Sequence, residues 1–327
     1  MRQKTLRIWI GAAIAGAAAL GAGAGFGAGL GALERASDVT PPAVVATVMA
    51  REPVAPRAMT PAPAFVPPVQ ALPPAEPLPA WRQFAVAAPP ADGRPRIAVV
   101  IDDLGVQVPN ARRVIELPGP LTLSLMTYAL NLPQLAEAGR ARGHELMLHV
   151  PMEPEEAPDL VTPGPNALTT DLTAAELRKR MQGALDRVPG IVGINNHMGS
   201  KFTADRGAMT VVMQELAARG LLFLDSLTTS HSVGRVTSRA AGVPYVARDV
   251  FLDNEDTVES VRAQIRVLEA TARRDGSAIA IAHPKAATIE VLRAWLPTLA
   301  ARGFVLVPLT ALVEVEAPAS LVAKAAQ

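Results

Sequence analysis

The side chains best suited to chemistry in this sequence stand at the ends of apolar runs. Asp102 and Asp103 close RIAVVIDD, His149 closes HELMLH, His197 closes IVGINNH, Asp225 closes LLFLD and His283 closes AIAIAH. Carboxylates and imidazoles together hold divalent cations and move protons. Asp102 and Asp103 are adjacent, so an extended strand points them to opposite sides. One then binds a cation while the other faces a reacting water, and two neighbouring carboxylates split their pKa values to leave one poised base. His149 and Glu153 lie four apart in HVPME, and if the segment turns both face one cation. His197, in GINNHMGSK, reads as a metal ligand or a substrate contact. Asn195 and Asn196 beside it can orient the imidazole or donate to a substrate oxygen. Asp225 either orients a histidine or caps the next helix. Arg248, in RDVFLDNED, can pair with Asp225 or with Asp102. His283 is placed to protonate a leaving group. His144 and His231 read as structural or surface residues, and Lys201 as a solvated charge.

The elements that must position these groups follow from Arg94 onward. Short β-rich runs (RIAVVI, LTLSLMT, ELMLHV, IVGIN, LLFLD, VARDVFL, AIAIAH, FVLVPL) alternate with helical stretches at 108–117, 132–142, 173–187, 207–219, 257–274 and 287–301. Thr173 followed by an acid three residues on marks one helix start. Alternating strands and helices predict an α/β fold with a parallel sheet covered by helices. Seven or eight such repeats suit a closed or nearly closed barrel, whose active site gathers at the C-terminal ends of the strands. A doubly wound open sheet is the alternative. No Gly-x-Gly-x-x-Gly follows the first strand and there is no P-loop, which argues against a nucleotide fold.

Composition narrows the classes further. A formal net charge of +1, with Lys and Arg scattered, argues against a nucleic-acid partner. The absence of cysteine excludes disulfides, zinc fingers and thiol catalysis. Arg2, Lys4 and Arg7 precede an uncharged Ala/Gly-rich run from Ile8 to Leu33, long enough to cross a bilayer core. Residues 1–34 are therefore expected to be a membrane anchor or a cleavable signal, with the basic flank in the cytoplasm. Residues 35–93 are Pro/Ala-rich and expected to be a disordered spacer. That leaves a folded domain over 94–314 and a flexible tail over 315–327. The oligomeric state is not written in the sequence.

The segments IDDLG, LHVPMEP, NNHMGSKFT, FLDS, RDVFLDN and AIAIAHP, taken together, resemble the divergent polysaccharide deacetylase family, related to the NodB-type carbohydrate esterases. The resemblance covers about residues 95–313. It implies a deformed (β/α) barrel of NodB type, with seven or eight strands, and a divalent metal site, zinc being the expected ion. It assigns Asp102 as base, Asp103 and His149 as metal ligands and His283 as general acid. Glu153 stands where a second histidine ligand is expected, and His197 on the next strand competes with it for that place. The implied activity is metal-dependent N-deacetylation of a cell-envelope polysaccharide or peptidoglycan, by a domain in the bacterial periplasm held to or released from the inner membrane. The alternative is a non-catalytic glycan- or partner-binding envelope protein on the same fold.

Overall fold

The computed structural model describes residues 77–90, 92–156 and 162–313. The expected membrane segment, most of the expected spacer and the expected tail lie outside these residues. Among the described residues, no helix is long and apolar enough to cross a membrane.

The strands are β1 (Arg96–Leu104), β2 (Thr122–Met126), β3 (Glu145–Met152), β4 (Gly193–Met198), β5 (Leu222–Asp225), β6 (Tyr245–Ala247), β7 (Val250–Phe251), β8 (Ser277–Ala282) and β9 (Val305–Leu306). The helices are α1 (Ala80–Gln83), α2 (Val108–Ile115), α3 (Leu132–Ala141), α4 (Ala174–Leu185), α5 (Arg206–Arg219), α6 (Gly234–Ala241), α7 (Val258–Asp275) and α8 (Ala286–Trp295). Every strand pairing is parallel, in the order β6-β5-β4-β3-β2-β1-β8-β7, with β9 also on β1. The expected run VARDVFL is split. Its central Arg248 and Asp249 carry the chain from β6, at one end of this path, to β7 at the other. Two residues reach no further than about 11 Å between the flanking Cα atoms. The sheet is therefore curled until its two edges nearly meet, as a deformed barrel requires.

Strand alternation sorts side chains between two cores. Ile97, Val99 and Ile101 of β1, with Leu123, Leu125, Leu148, Ile194, Phe223 and Ala280, pack outward against the helices. Ala98 and Val100, with Met147, Leu222, Leu224, Ile279 and Ile281, fill the inside of the curl. Both faces are buried, which is why these strands read as continuous apolar runs.

Two elements were not expected. The α6 helix buries Gly234, Thr237 and Ser238, so its inner face lacks the apolar period that marks a helix. The α1 helix lies within the stretch expected as spacer: Trp81 is buried, and its N–H donates to the Gly220 carbonyl at 2.9 Å. A single aromatic anchor in proline-rich surroundings gives no periodic signal.

His144, expected to be structural or surface, is a buried bridge. Its Nδ1 accepts the Leu121 N–H at 3.1 Å and its Nε2 donates to the Ile115 carbonyl at 3.0 Å, which requires the neutral ring. Burial, the largest influence, holds its pKa below the ordinary value of about 6.5. The unfolded chain therefore takes up this proton first, and stability falls as pH drops below that value. His144→Gln should cost about 1–3 kcal/mol at pH 7. Urea denaturation at pH 7 and pH 5 should show the gap to the wild type narrowing at the lower pH; a constant gap would contradict the neutral-ring account.

Candidate metal centre

The site is assembled at the C-terminal ends of the strands, from residues on the inner face of the curl. Alternation from Val100 places Asp102 inside. His149 follows Met147 inward on β3, Asn195 and His197 follow Gly193 on β4, and His283 follows Ile281 just beyond β8. Asp103 would point outward in a regular strand, as expected from its sequence position. The structure corrects this. Ile101 pairs with Leu123 and Leu104 with Leu125, so Asp102 and Asp103 together oppose Ser124. This is a β-bulge, with Asp103 in the left-handed region at φ 56°. The bulge turns both carboxylates toward His149, whose Nε2 is 3.6 Å from Asp102 Oδ2 and 3.4 Å from Asp103 Oδ1. Gly105 follows at φ 101°, where a Cβ would lie 2.5 Å from that of Ala129. Met198 and Leu227, next to the site on β4 and after β5, are also left-handed. Such backbone costs of order 1–3 kcal/mol per residue and persists where the surroundings enforce it.

Asp103, His149 and His197 present three ligand atoms within 4.8 Å of one another. His197 Nδ1 lies 3.0 Å from Asp103 Oδ1 and 3.2 Å from His149 Nε2. Asp103 Oδ1 is buried and has no hydrogen-bond partner. The His149 tautomer is set from behind. Asn195 donates its amide to both oxygens of Asp102, at 2.9 and 3.0 Å, so its own oxygen must accept from Ser124 Oγ at 2.6 Å and from His149 Nδ1 at 2.8 Å. With Nδ1 carrying the hydrogen, the neutral ring turns the Nε2 lone pair toward Asp103. An orphaned carboxylate oxygen and two imidazole nitrogens at one point are a donor set suited to a divalent cation such as zinc.

The electrostatics agree. Burial pushes Asp102 above the usual carboxylate range. Burial acts on Asp103 in the same direction, but the His149 and His197 rings outweigh it and hold that carboxyl far below the range. Burial disfavours a charged His149, yet Asp102 and Asp103 raise its pKa to about 9. The pair thus splits as expected for adjacent carboxylates, and the site attracts positive charge.

His283 reaches the same place from the end of β8, which flanks β1 on the side away from β2. Its Nε2 is 3.9 Å from Asp103 Oδ2, and its Nδ1 is 2.9 Å from Asp253 Oδ1. Asp253 is fully buried, and its other oxygen accepts from the His283 N–H at 2.7 Å and from Thr288 Oγ1 at 2.8 Å. Burial opposes a proton on His283, but Asp253 and Asp102 prevail and its pKa is raised.

Four expectations are corrected. Glu153 is not in the ligand group: Oε2 accepts from Thr170 N and Oγ1, both at 2.7 Å, and Oε1 pairs with Lys201 at 2.6 Å. The chain leaves β3 at Met152 and ties Glu153 into its neighbouring loops. Asp225 orients no histidine. It shares the outer face with Phe223 and accepts from Leu227 N, Ser232 Oγ and Tyr245 OH. Asn196, also facing outward, accepts from Ser226 N at 2.9 Å and donates to the Met198 carbonyl at 2.7 Å, so it braces loops rather than meeting substrate. The Arg248 guanidinium donates to the carbonyls of Ser226 and Leu227 and reaches the carboxylates of Asp225 and Asp102 only through space. Sequence reasoning missed the roles of Asp253 and Ser124. The signal for Ser124 was a hydroxyl, alternating with that of Thr122, in the otherwise apolar run LTLSLM; Asp253 stood in a polar cluster with nothing to single it out.

Known proteins share this arrangement of sequence. The E. coli K12 protein YibQ, itself described as uncharacterized, is 34% identical over 210 residues, 64% of this chain and 64% of its own length. The chain thus spans less than two thirds of that relative. An uncharacterized protein of Haemophilus influenzae Rd is 33% identical over 204 residues, covering 62% of this chain and 72% of that protein. The crystal structure of the uncharacterized protein ATU2773 from Agrobacterium tumefaciens C58 superposes with a TM-score of 0.70 at 31% identity, over 72% of this chain and 96% of that one. The profile of the divergent polysaccharide deacetylase family matches residues 99–313, from within β1 to the last described residue and through every group of the metal centre. The chain belongs to the divergent polysaccharide deacetylase family.

Proposed function

We propose that this protein is a metal-dependent hydrolase that removes N-acetyl groups from a cell-envelope glycan. The observation that carries the reading is the buried, unpartnered Asp103 oxygen facing His149 and His197, with Asp102 and His283 on either side. Asp103, His149 and His197 would hold the ion, with zinc the best match to one carboxylate and two imidazoles. A bound ion supplies Lewis acidity at the acetyl carbonyl and lowers the pKa of water. Asp102, its pKa raised by burial and its orientation fixed by Asn195, accepts a proton from the attacking water as the new C–O bond forms. His283, its pKa raised by Asp253 against burial, gives a proton to the amine nitrogen as the C–N bond breaks. Acetate and a free amino sugar result. The basic flank and long uncharged run at the N-terminus support a periplasmic domain tethered to the inner membrane.

The test is acetate release from N-acetylated glycan fragments by the zinc-, cobalt- or manganese-loaded protein. A metal-loaded protein that releases none across neutral and acidic fragments is not a deacetylase, and a glycan-binding role takes its place.

Asp253 and Asp225, both buried and outside the ligand group, separate cleanly. Asp253→Asn should lower kcat about 10- to 100-fold with metal content and KM unchanged. Without that charge the His283 pKa drops, so the alkaline limb of the pH–rate profile should move to lower pH. Asp225→Asn should leave kcat within about twofold and lower stability by about 1–3 kcal/mol, because its bonds hold a loop. A kinetic loss in Asp225→Asn with an intact profile in Asp253→Asn would reverse the assignment.

A further inference from the structure

A cavity of about 460 Å³ opens between α4 and the outer face of β3, at the C-terminal rim of the sheet. Its lining carries three cations, Lys179, Arg180 and Arg187, against one carboxylate, Glu176. Glu176 is already engaged, accepting from Thr173 N at 2.9 Å and Thr173 Oγ1 at 2.7 Å in the cap of α4. Arg187 donates to the carbonyls of Thr127 and Ala129, and Arg180 to that of Ala167. Neutral carbonyls fix a guanidinium without cancelling its charge. Lys179 is exposed on the same face of α4, three residues after Glu176. The cavity's net charge is therefore positive, while net charge over the whole chain is only +1.

Thr127 and Tyr128, just past the C-terminal end of β2, form part of its wall. The Thr127 N–H donates to the His149 carbonyl at 3.2 Å. The Tyr128 phenol is affected first by burial and then by the charge of Asp103. A chain of sugars with one residue at the ligand group would extend toward Tyr128 and meet Lys179.

We propose that this cavity binds an acidic substituent, a carboxylate or a phosphate, on the sugar next to the one that presents its N-acetyl group at the metal centre. The placement of the two sugars rests on the deacetylase reading; the preference for an anion rests on the cavity alone.

The test is calorimetric titration of the zinc-loaded full-length protein, in detergent, with three N-acetylated oligosaccharides of equal length. One is neutral, one carries lactyl carboxylates and one a phosphate monoester. At least one acidic ligand should bind about fivefold or more tightly than the neutral one at low salt, and the preference should shrink as salt rises. Whichever acidic ligand binds more tightly identifies the substituent. Lys179→Glu should erase the preference while leaving the melting temperature and the neutral ligand's Kd unchanged. Equal binding of all three, no binding of either acidic ligand, or a preference that survives in Lys179→Glu would each overturn the proposal. Acetate release from the same ligands is read in parallel. Its absence alongside an intact anion preference would remove the deacetylase reading and leave the anion site standing.

Discussion

Asp102→Asn is expected to slow acetate release by about 10³-fold or more while the metal stays bound. Asp102 is buried near the C-terminal end of β1, its two oxygens share the Asn195 amide N–H, and it is outside the group of three converging ligand atoms. The substitution keeps shape and removes only the ability to accept a proton. It should not damage the fold, because burying a carboxylate whose pKa is raised costs stability that a neutral amide does not. Metal content by mass spectrometry, melting temperature and kcat on one glycan fragment together decide the case. A variant that keeps both its metal and wild-type kcat would remove Asp102 as the base. A variant that loses its metal would move Asp102 into the ligand set.

Asp103→Ala is expected to weaken metal binding by more than ~100-fold and to abolish activity at ordinary metal concentrations. Asp103 supplies the one carboxylate oxygen on which both imidazoles converge. Saturation of the wild type at about 100 times its Kd should stabilise it by about 2.7 kcal/mol, or roughly 5–10 °C in Tm. Chelation should reverse that gain, and Asp103→Ala should not show it. Glu153→Gln should keep metal affinity within about threefold, because its carboxylate serves Thr170 and Lys201. If Glu153→Gln lost the metal as completely as Asp103→Ala, the ligand group described by the structure would be incomplete.

Several features of this site can be read from residue order. Apolar runs ending in Asp102-Asp103, His149, His197 and His283 locate the C-terminal rim of a parallel sheet, because a strand buried on both faces turns polar only where it leaves the core. The lengths of the intervening helices fix the alternation of layers. The N-terminal run and the proline-rich segment stand out by composition alone. Periodicity also makes a prediction about Asp102 and Asp103, and there it fails for a local reason: one extra residue in β1 shifts the register against β2.

The remainder required the tertiary structure. In a run such as LLFLD both faces are apolar, so nothing in the sequence says whether Asp225 joins the inner or the outer set; its pairing with β4 and β6 decides that it faces out. The same parity puts Asn195 in the site and its neighbour Asn196 among the loops. Asn195 links Asp102, 93 residues before it, to His149, 46 residues before it, and Asp253 reaches His283 across 30 residues. Pairing of β3 with β4 and of β7 with β8 makes two of these contacts and the curl of the sheet makes the third, from β1 to β4; a hydrogen bond depends on distance in space and leaves no period in the chain. What the sequence by itself determined was which residues could do chemistry and at which end of the strands they stand. Only the tertiary structure decided which of them share one buried point, because the bulge at Asp103 and the facing of each strand are properties of the packed sheet.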